Sequence, residues 1–188
     1  MREAVIHWLK DNVSPHRLEH ILEVEKFSAK LARKHGVDPD KAAQAGLMHD
    51  LAKFFPPPRL LAIANEAGIE IDEVCRVNPH LLHADVSEVV AQREFGVKDG
   101  EILEAIRCHT LGSPGMGKLA CLVFVADALE PKRGNSEELE KMRQTSKKDL
   151  YKSVQQTCDY SLKYLLNHQV TIHPRVILTR NWALQLLK

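Results

Sequence analysis

The sequence predicts an all-α fold in one domain spanning residues 1–188. Three observations carry this. Apolar residues recur at three- and four-residue steps along nearly every segment. Helix starts and stops recur as Ser-Pro or Asp-Pro at one end and Gly at the other. The chain has 188 residues, 44% hydrophobic and 27% charged, which suits one domain with a sizeable core. No internal repeat or low-complexity segment divides it.

The elements follow in order. Over 16–35, Leu18, Ile21, Leu22, Phe27, Leu31 and Ala32 share one helical face. Ser14 caps that helix with Pro15 in its first turn, and Gly36 closes it. Asp38-Pro39 opens a second helix carrying AAQAGLMHDLAK, which Phe54-Phe55 and the three prolines 56–58 stop. Further helices are expected over 58–67, over 80–95 closed by Gly96, and over 99–109. LGSPGMG at 111–117 reads as a loop. The following LACLVFVADALE also fits a buried strand, but its length and helical surroundings favour a buried helix. Residues 132–149, rich in both charge signs, read as a solvated face or connector. An amphipathic helix over 147–170 carries Tyr151, Val154, Cys158, Leu162 and Leu165, and Pro174 starts the last helix.

Composition narrows the function. A net charge of +1 with interspersed signs gives no basic stripe for nucleic acid. No run approaches the roughly 18 apolar residues of a membrane span, and MREAVIHWLKDN lacks the apolar centre of a signal peptide. The four cysteines form no CxxC pair and read as free thiols in a reducing compartment. A cytoplasmic location is expected.

The chemistry lies in an ordered series of histidines and aspartates: His20, the adjacent His49–Asp50, His83, His109 and Asp127. Imidazole and carboxylate together form a ligand set for divalent metals, and six donors exceed the need of one tetrahedral ion. They point to a two-metal site, which suits displacement at phosphorus. His16 lies one turn before His20 and His80 three residues before His83, so each pair leaves two candidates. Gly46 and Ala45 permit close approach of another helix, and Lys53, a turn beyond His49, suits a phosphate oxygen. Asp127 follows the apolar LVFVA, where an unpaired carboxylate would cost several kcal/mol. A metal ion or a salt bridge to Arg or Lys must compensate. His109 closes EILEAIRCHT before the Gly/Pro-rich loop, where a site can open. His7, His35, His168 and His173 show no partner pattern and read as structural or surface residues.

This H…HD…H…H…D order with Lys53 resembles the HD-domain metal-dependent phosphohydrolases, and more narrowly the bacterial YqeK family. The matching stretches are HRLEH (16–20), LMHDLAKFFP (47–56), NPHLLHADVSE (78–88), EILEAIRCHTLGSPGM (101–116), VADALEPKR (125–133) and IHPRVILTRN (172–181). HADV stands where the family often has HGPV, and Cys108 where Tyr is common. The resemblance implies a single HD-domain helical bundle, with a metal-site core at about 14–131 and C-terminal helices at about 147–187 packed on it. It implies symmetrical cleavage of diadenosine tetraphosphate to two ADP at a di-iron centre, with Mn, Co or Zn as alternative ions. His20, His49, Asp50 and Asp127 would hold one metal. Asp50 would bridge to a second, held by His83 and His109. His20 is preferred over His16, and His83 over His80, because they occupy the motif positions. Asp50 and Lys53 are the catalytic candidates, and Arg17, Lys53 and Arg133 the substrate-binding ones. The partner is a dinucleoside polyphosphate, without membrane or nucleic acid, on a monomer or homodimer. Another phosphoester substrate, a di-iron oxygenase and a non-catalytic nucleotide-binding module are the alternatives.

Overall fold

A computed structural model describes residues 1–188, and the chain is helical throughout, with no strand. Eleven α-helices follow in order: α1 Arg2–Asn12, α2 Pro15–His35, α3 Pro39–Met48, α4 Pro57–Glu66, α5 Glu73–Val77, α6 His83–Phe95, α7 Gly100–Cys108, α8 Lys118–Leu129, α9 Glu137–Ser146, α10 Leu150–Asn167 and α11 Pro174–Gln185. Short 3-10 turns occupy Pro79–Leu82 and Pro131–Arg133.

The expected caps are in place. Ser14 accepts the Arg17 N–H and Asp38 those of Asp40 and Lys41, which satisfies first-turn donors that have no helical partner. Gly36 and Gly96 close α2 and α6 in the left-handed conformation. The run LACLVFVADALE is helical, as α8. Leu119 to Ala126 and Leu129 are all buried, so α8 is the central rod, with α2, α3, α7 and α10 packed around it. The α2–α3 pair is the most extensive contact. Gly46 makes it close: an added Cβ would lie 3.1 Å from the Glu25 Cα and 3.0 Å from the Ser28 Oγ.

Three expectations need correction. The helix opened at Pro39 does not run through His49–Asp50 to Phe54. It ends at Met48, and residues 50–54 form turns. Ser87 of α6 caps this break by accepting the Ala52 N–H, a partner from 35 residues away that periodicity does not show. The helix expected from 80 starts at His83, because Pro79 leads a tighter 3-10 turn. The charged stretch 132–149 is not merely a solvated connector. It contains α9, capped by Ser136, whose Leu139 and Met142 enter the core. Sparse apolar residues among charges hid that narrow buried stripe.

The C-terminal helices are anchored to the rest of the bundle. Thr179 of α11 donates to the Leu111 carbonyl, and Gly112, at φ +65, leaves the room Thr179 needs. His173 accepts the Arg175 N–H at Nδ1 and meets Asp72 at Nε2, 2.7 Å away. Asp72 also caps α5 through the Cys75 N–H. Asp72, Cys75 and His173 lie close enough to hold an ion. Both imidazole nitrogens are nevertheless engaged, and burial pushes the Cys75 thiol up to about 12, so this trio is a latch. All four cysteines are buried.

Candidate metal centre

Four imidazoles form a buried row at the bundle centre. Ring centroids are 5.5 Å apart for His20–His49, 4.8 Å for His49–His109 and 5.0 Å for His109–His83. His20 projects from the middle of α2, and His49 and His109 are the C-cap residues of α3 and α7. His83 is the first residue of α6. His49, His83 and His109 directly follow α3, the 3-10 turn and α7, so each ring reaches a carbonyl of that last turn, three residues back. His49 donates Nδ1–H to the Gly46 carbonyl at 2.6 Å, His83 to that of His80 at 2.6 Å, and His109 to that of Ile106 at 2.8 Å. His20, inside its helix, finds no free carbonyl and donates instead to Glu130 Oε1 at 3.0 Å. Each ring thus keeps its Nε2 lone pair for the centre, the usual outer-shell device for a metal-binding histidine. Sequence reasoning missed Glu130, which looks like one more acid in a charged stretch yet is 1% exposed. Its signal is a position directly after an apolar helix and before a proline.

Asp50 sits in the row, 1% exposed. Its Oδ2 lies 3.3 Å from His49 Nε2 and accepts from Arg17 Nη1 at 3.0 Å. Its Oδ1 lies 3.3 Å from His83 Nε2 and 3.5 Å from His109 Nε2. One carboxylate therefore faces two groups of imidazoles with different oxygens. Asp127 faces the other end, with Oδ1 3.0 Å from His20 Nε2 and 3.8 Å from His49 Nε2. It also receives Arg133 Nη2 at 2.6 Å, so the salt bridge weighed as an alternative to metal is present as well. Arg133 is not simply solvated: its Nε also donates to the Asp127 carbonyl. Lys53 Nζ lies 3.1 Å from His83 Nε2. The Thr110 hydroxyl, which the sequence did not single out, lies 3.1 Å from His83 Nε2 and 2.9 Å from His109 Nε2. His16 and His80 are exposed, and His80 serves through its carbonyl.

The electrostatics suit a cation. Burial disfavours the Asp50 carboxylate, but His49, His109 and His83 outweigh it and hold its pKa well below the usual range. Burial likewise opposes the Asp127 carboxylate, and His20 and Arg133 overcome it. Burial pushes the His83 imidazole down to about 4, with Lys53 and His109 adding to the effect and Asp50 opposing it. His49 moves up, because Asp50 and Asp127 outweigh its burial. His49 Nε2 and Asp50 Oδ1 are both buried without a hydrogen-bond partner. Orphaned buried polar atoms of this kind are costly, and a divalent ion would satisfy both. The trios His20–His49–Asp50, His49–His109–Asp127 and Asp50–His83–His109 each converge closely enough to hold one.

A helical bundle around a buried histidine–aspartate centre of this order is the scaffold of a metal-dependent phosphohydrolase. The HD-domain pattern matches residues 17–132, and the chain belongs to the HD-domain family, among its YqeK-type hydrolases. A symmetrical bis(5'-nucleosyl)-tetraphosphatase of Bacillus subtilis is 34% identical over 96% of each chain. One of Halalkalibacterium halodurans is 30% identical over 97% of each. A crystal structure from Clostridium acetobutylicum, described as a predicted HD superfamily hydrolase involved in NAD metabolism, superposes with a TM-score of 0.93. It is 28% identical and covers 98% of this chain and 97% of its own. No helix of this chain is long and apolar enough to cross a membrane.

Proposed function

We propose that this chain, a single HD domain over 1–188, hydrolyses diadenosine tetraphosphate symmetrically to two ADP. The observation that carries the reading is Asp50, whose two oxygens face His49 on one side and His83 with His109 on the other. His20, His49, Asp50 and Asp127 would hold one ion, and Asp50, His83 and His109 a second. Iron is our assignment, with manganese, cobalt or zinc accepted by the same donors. When bound, such ions lower the pKa of water to supply a nucleophile near neutral pH and stabilise charge at phosphorus.

The chain's own residues do the rest. Asp50 and the four oriented imidazoles fix the centre, because each ring is locked through Nδ1. Arg17 and Arg133 line a small cleft of about 90 Å³ together with His16, His20, Glu130 and Lys132. These cations suit a polyphosphate, and Arg17 and Arg133 would fix its register. Water adds to a phosphorus inside the bridge, the bridging P–O bond breaks, and ADP departs with the bridging oxygen. Lys53, beside His83, would offset the charge developing on that oxygen. We further propose a cytoplasmic protein, monomeric or homodimeric, with no nucleic-acid partner.

The test is an anaerobic assay of iron-loaded protein with diadenosine tetraphosphate, products resolved by chromatography. ADP as sole product is expected. AMP plus ATP would break the symmetrical assignment, and no turnover in metal-loaded protein would break the substrate assignment.

A further inference from the structure

α9 lies beyond the HD match at 17–132, yet one of its side chains reaches back to the His20 end of the metal centre. Arg143 carries a guanidinium and is only 6% exposed. It donates to three backbone carbonyls of the α8–α9 connection: Nε to Leu129 at 2.8 Å, and Nη2 to Glu130 at 3.1 Å and to Gly134 at 2.7 Å. Nη1 is held by Glu140, three residues back on the same helix. Leu129 ends α8, so its carbonyl has no helical partner, and a cation there also suits the negative end of the helix dipole. Between the bonded carbonyls lie two residues that face the centre. Glu130 Oε1 accepts from His20 Nδ1 at 3.0 Å, and Arg133 Nη2 donates to Asp127 Oδ1 at 2.6 Å. Glu130 Oε2 also accepts the Lys132 N–H, which binds the turn to the carboxylate that orients His20. The far end of α9 is tied to the helix that carries His20: the Ser146 carbonyl accepts from His35 Nε2 of α2 at 2.7 Å.

We infer that Arg143 is a positioning residue for the His20 end of the centre. It fixes the 129–134 turn so that Glu130 aims at His20 and Arg133 at Asp127, and it acts only through those two side chains. The inference rests on the proposed hydrolase reading for the ion and the phosphate these residues serve. Capping α8 alone calls for bonds to Leu129 and Glu130. The bond to Gly134 closes the far side of the turn, and a planar fork of fixed donors suits carbonyls on both sides where a single ammonium point does not. A buried cation is costly unless its donors are engaged, and Glu140 engages the remaining arm. The geometry also separates His20 from the other rings. His49, His83 and His109 donate to carbonyls three residues back, so their orientation does not pass through α9. His20 is oriented by a side chain whose own turn is held from α9. Loss of the fork should therefore act on one end of the row.

The test is Arg143→Lys in the full chain, which keeps the charge and removes the fork. Zinc is titrated against a chromogenic chelator, and NMR of the zinc-loaded protein follows the four imidazole Nδ1–H protons. One of two binding phases should weaken about ten-fold, the lower end of the cost of losing an outer-shell partner, and the other should stay. Adding Glu130→Gln should weaken that phase by no more than about two-fold beyond Glu130→Gln alone, because the two act through one hydrogen bond. The His20 proton should exchange with water faster than in wild type, and those of His49, His83 and His109 at wild-type rates. Equal weakening of both phases with all four protons exchanging faster would overturn the inference and assign Arg143 to the fold alone. So would additive losses in the double variant, or no change in either readout. Arg143→Gln gives the same comparison where the lysine variant does not fold. Failure of the hydrolase reading is separate: a wild type that holds one ion or cleaves nothing leaves the His20 proton as the deciding readout.

Discussion

The two ends of the histidine row are oriented by different means. At the His83–His109 end both imidazoles donate to backbone carbonyls, both are at most 2% exposed, and Lys53 and Thr110 close over them. At the His20 end the orienting group is the side chain of Glu130, and Asp127 remains 21% accessible beside Arg133. A backbone carbonyl comes with the helix and cannot be mutated away. A carboxylate is charged, removable and raises the basicity of its histidine. The His83–His109 end is therefore the more enclosed of the two. The His20 end is the more open, beside the cleft lined by Arg17 and Arg133.

The largest effect is expected from the residue between the two ends. His49 Nε2 faces Asp50 and Asp127 alike, so His49→Ala should abolish metal retention and reduce turnover to background, measured by elemental analysis and product release. A variant with full activity would remove the row from the chemistry.

The enclosed end should also show in pH dependence. The His83 pKa of about 4 lies below the ordinary 6.5, so the metal-free native state resists the proton that the unfolded chain takes up. Neutral His83 thus contributes stability that is present above pH 6.5 and is lost as pH falls towards 4. The loss amounts to up to about 3 kcal/mol. Urea denaturation of metal-free protein across this window should show a steeper acid loss in wild type than in His83→Gln. Parallel curves would contradict the enclosure of that end.

Glu130→Gln sharpens the comparison most selectively. It should weaken one ion by about 10–100-fold, the usual cost of losing an outer-shell partner, and leave the other unchanged. Competition titration with a chromogenic chelator should resolve two phases, of which only one moves. If both phases move together, the ends are not independent.

Gly46→Ala probes the scaffold beneath both ends. The added methyl meets the α2 backbone near 3.1 Å, and overpacking typically costs about 1–3 kcal/mol, offset in part by the better helix propensity of alanine. A lower melting temperature with metal stoichiometry intact is expected. An unchanged melting temperature would show that α2 moves aside.

Much of this organisation was legible because it is local. Helix starts such as Ser14-Pro15 and Asp38-Pro39 announce themselves within four residues, and Gly46 marked a close helix contact before its partner was known. The break after Met48 was not legible, because Ser87 supports it from another helix. Neither was α9, whose Leu139 and Met142 lie among charges. Within the centre, the ordered histidines and aspartates stood out by type. Glu130 and Thr110 did not, since their parts depend on distances of about 3 Å to rings far away or differently oriented in the chain. The motif order favoured His20 and His83 over His16 and His80, and burial separates each pair in the same way.

Asp50 is proposed to be shared by two ions, since its two oxygens face His49 on one side and His83 with His109 on the other. The most direct measurement is metal stoichiometry by native mass spectrometry, with circular dichroism as the check on folding, for wild type, His109→Ala and Asp50→Ala. The account predicts two ions per chain in wild type, one in His109→Ala and none in a folded Asp50→Ala. Two ions retained by Asp50→Ala, or one in wild type, would contradict it.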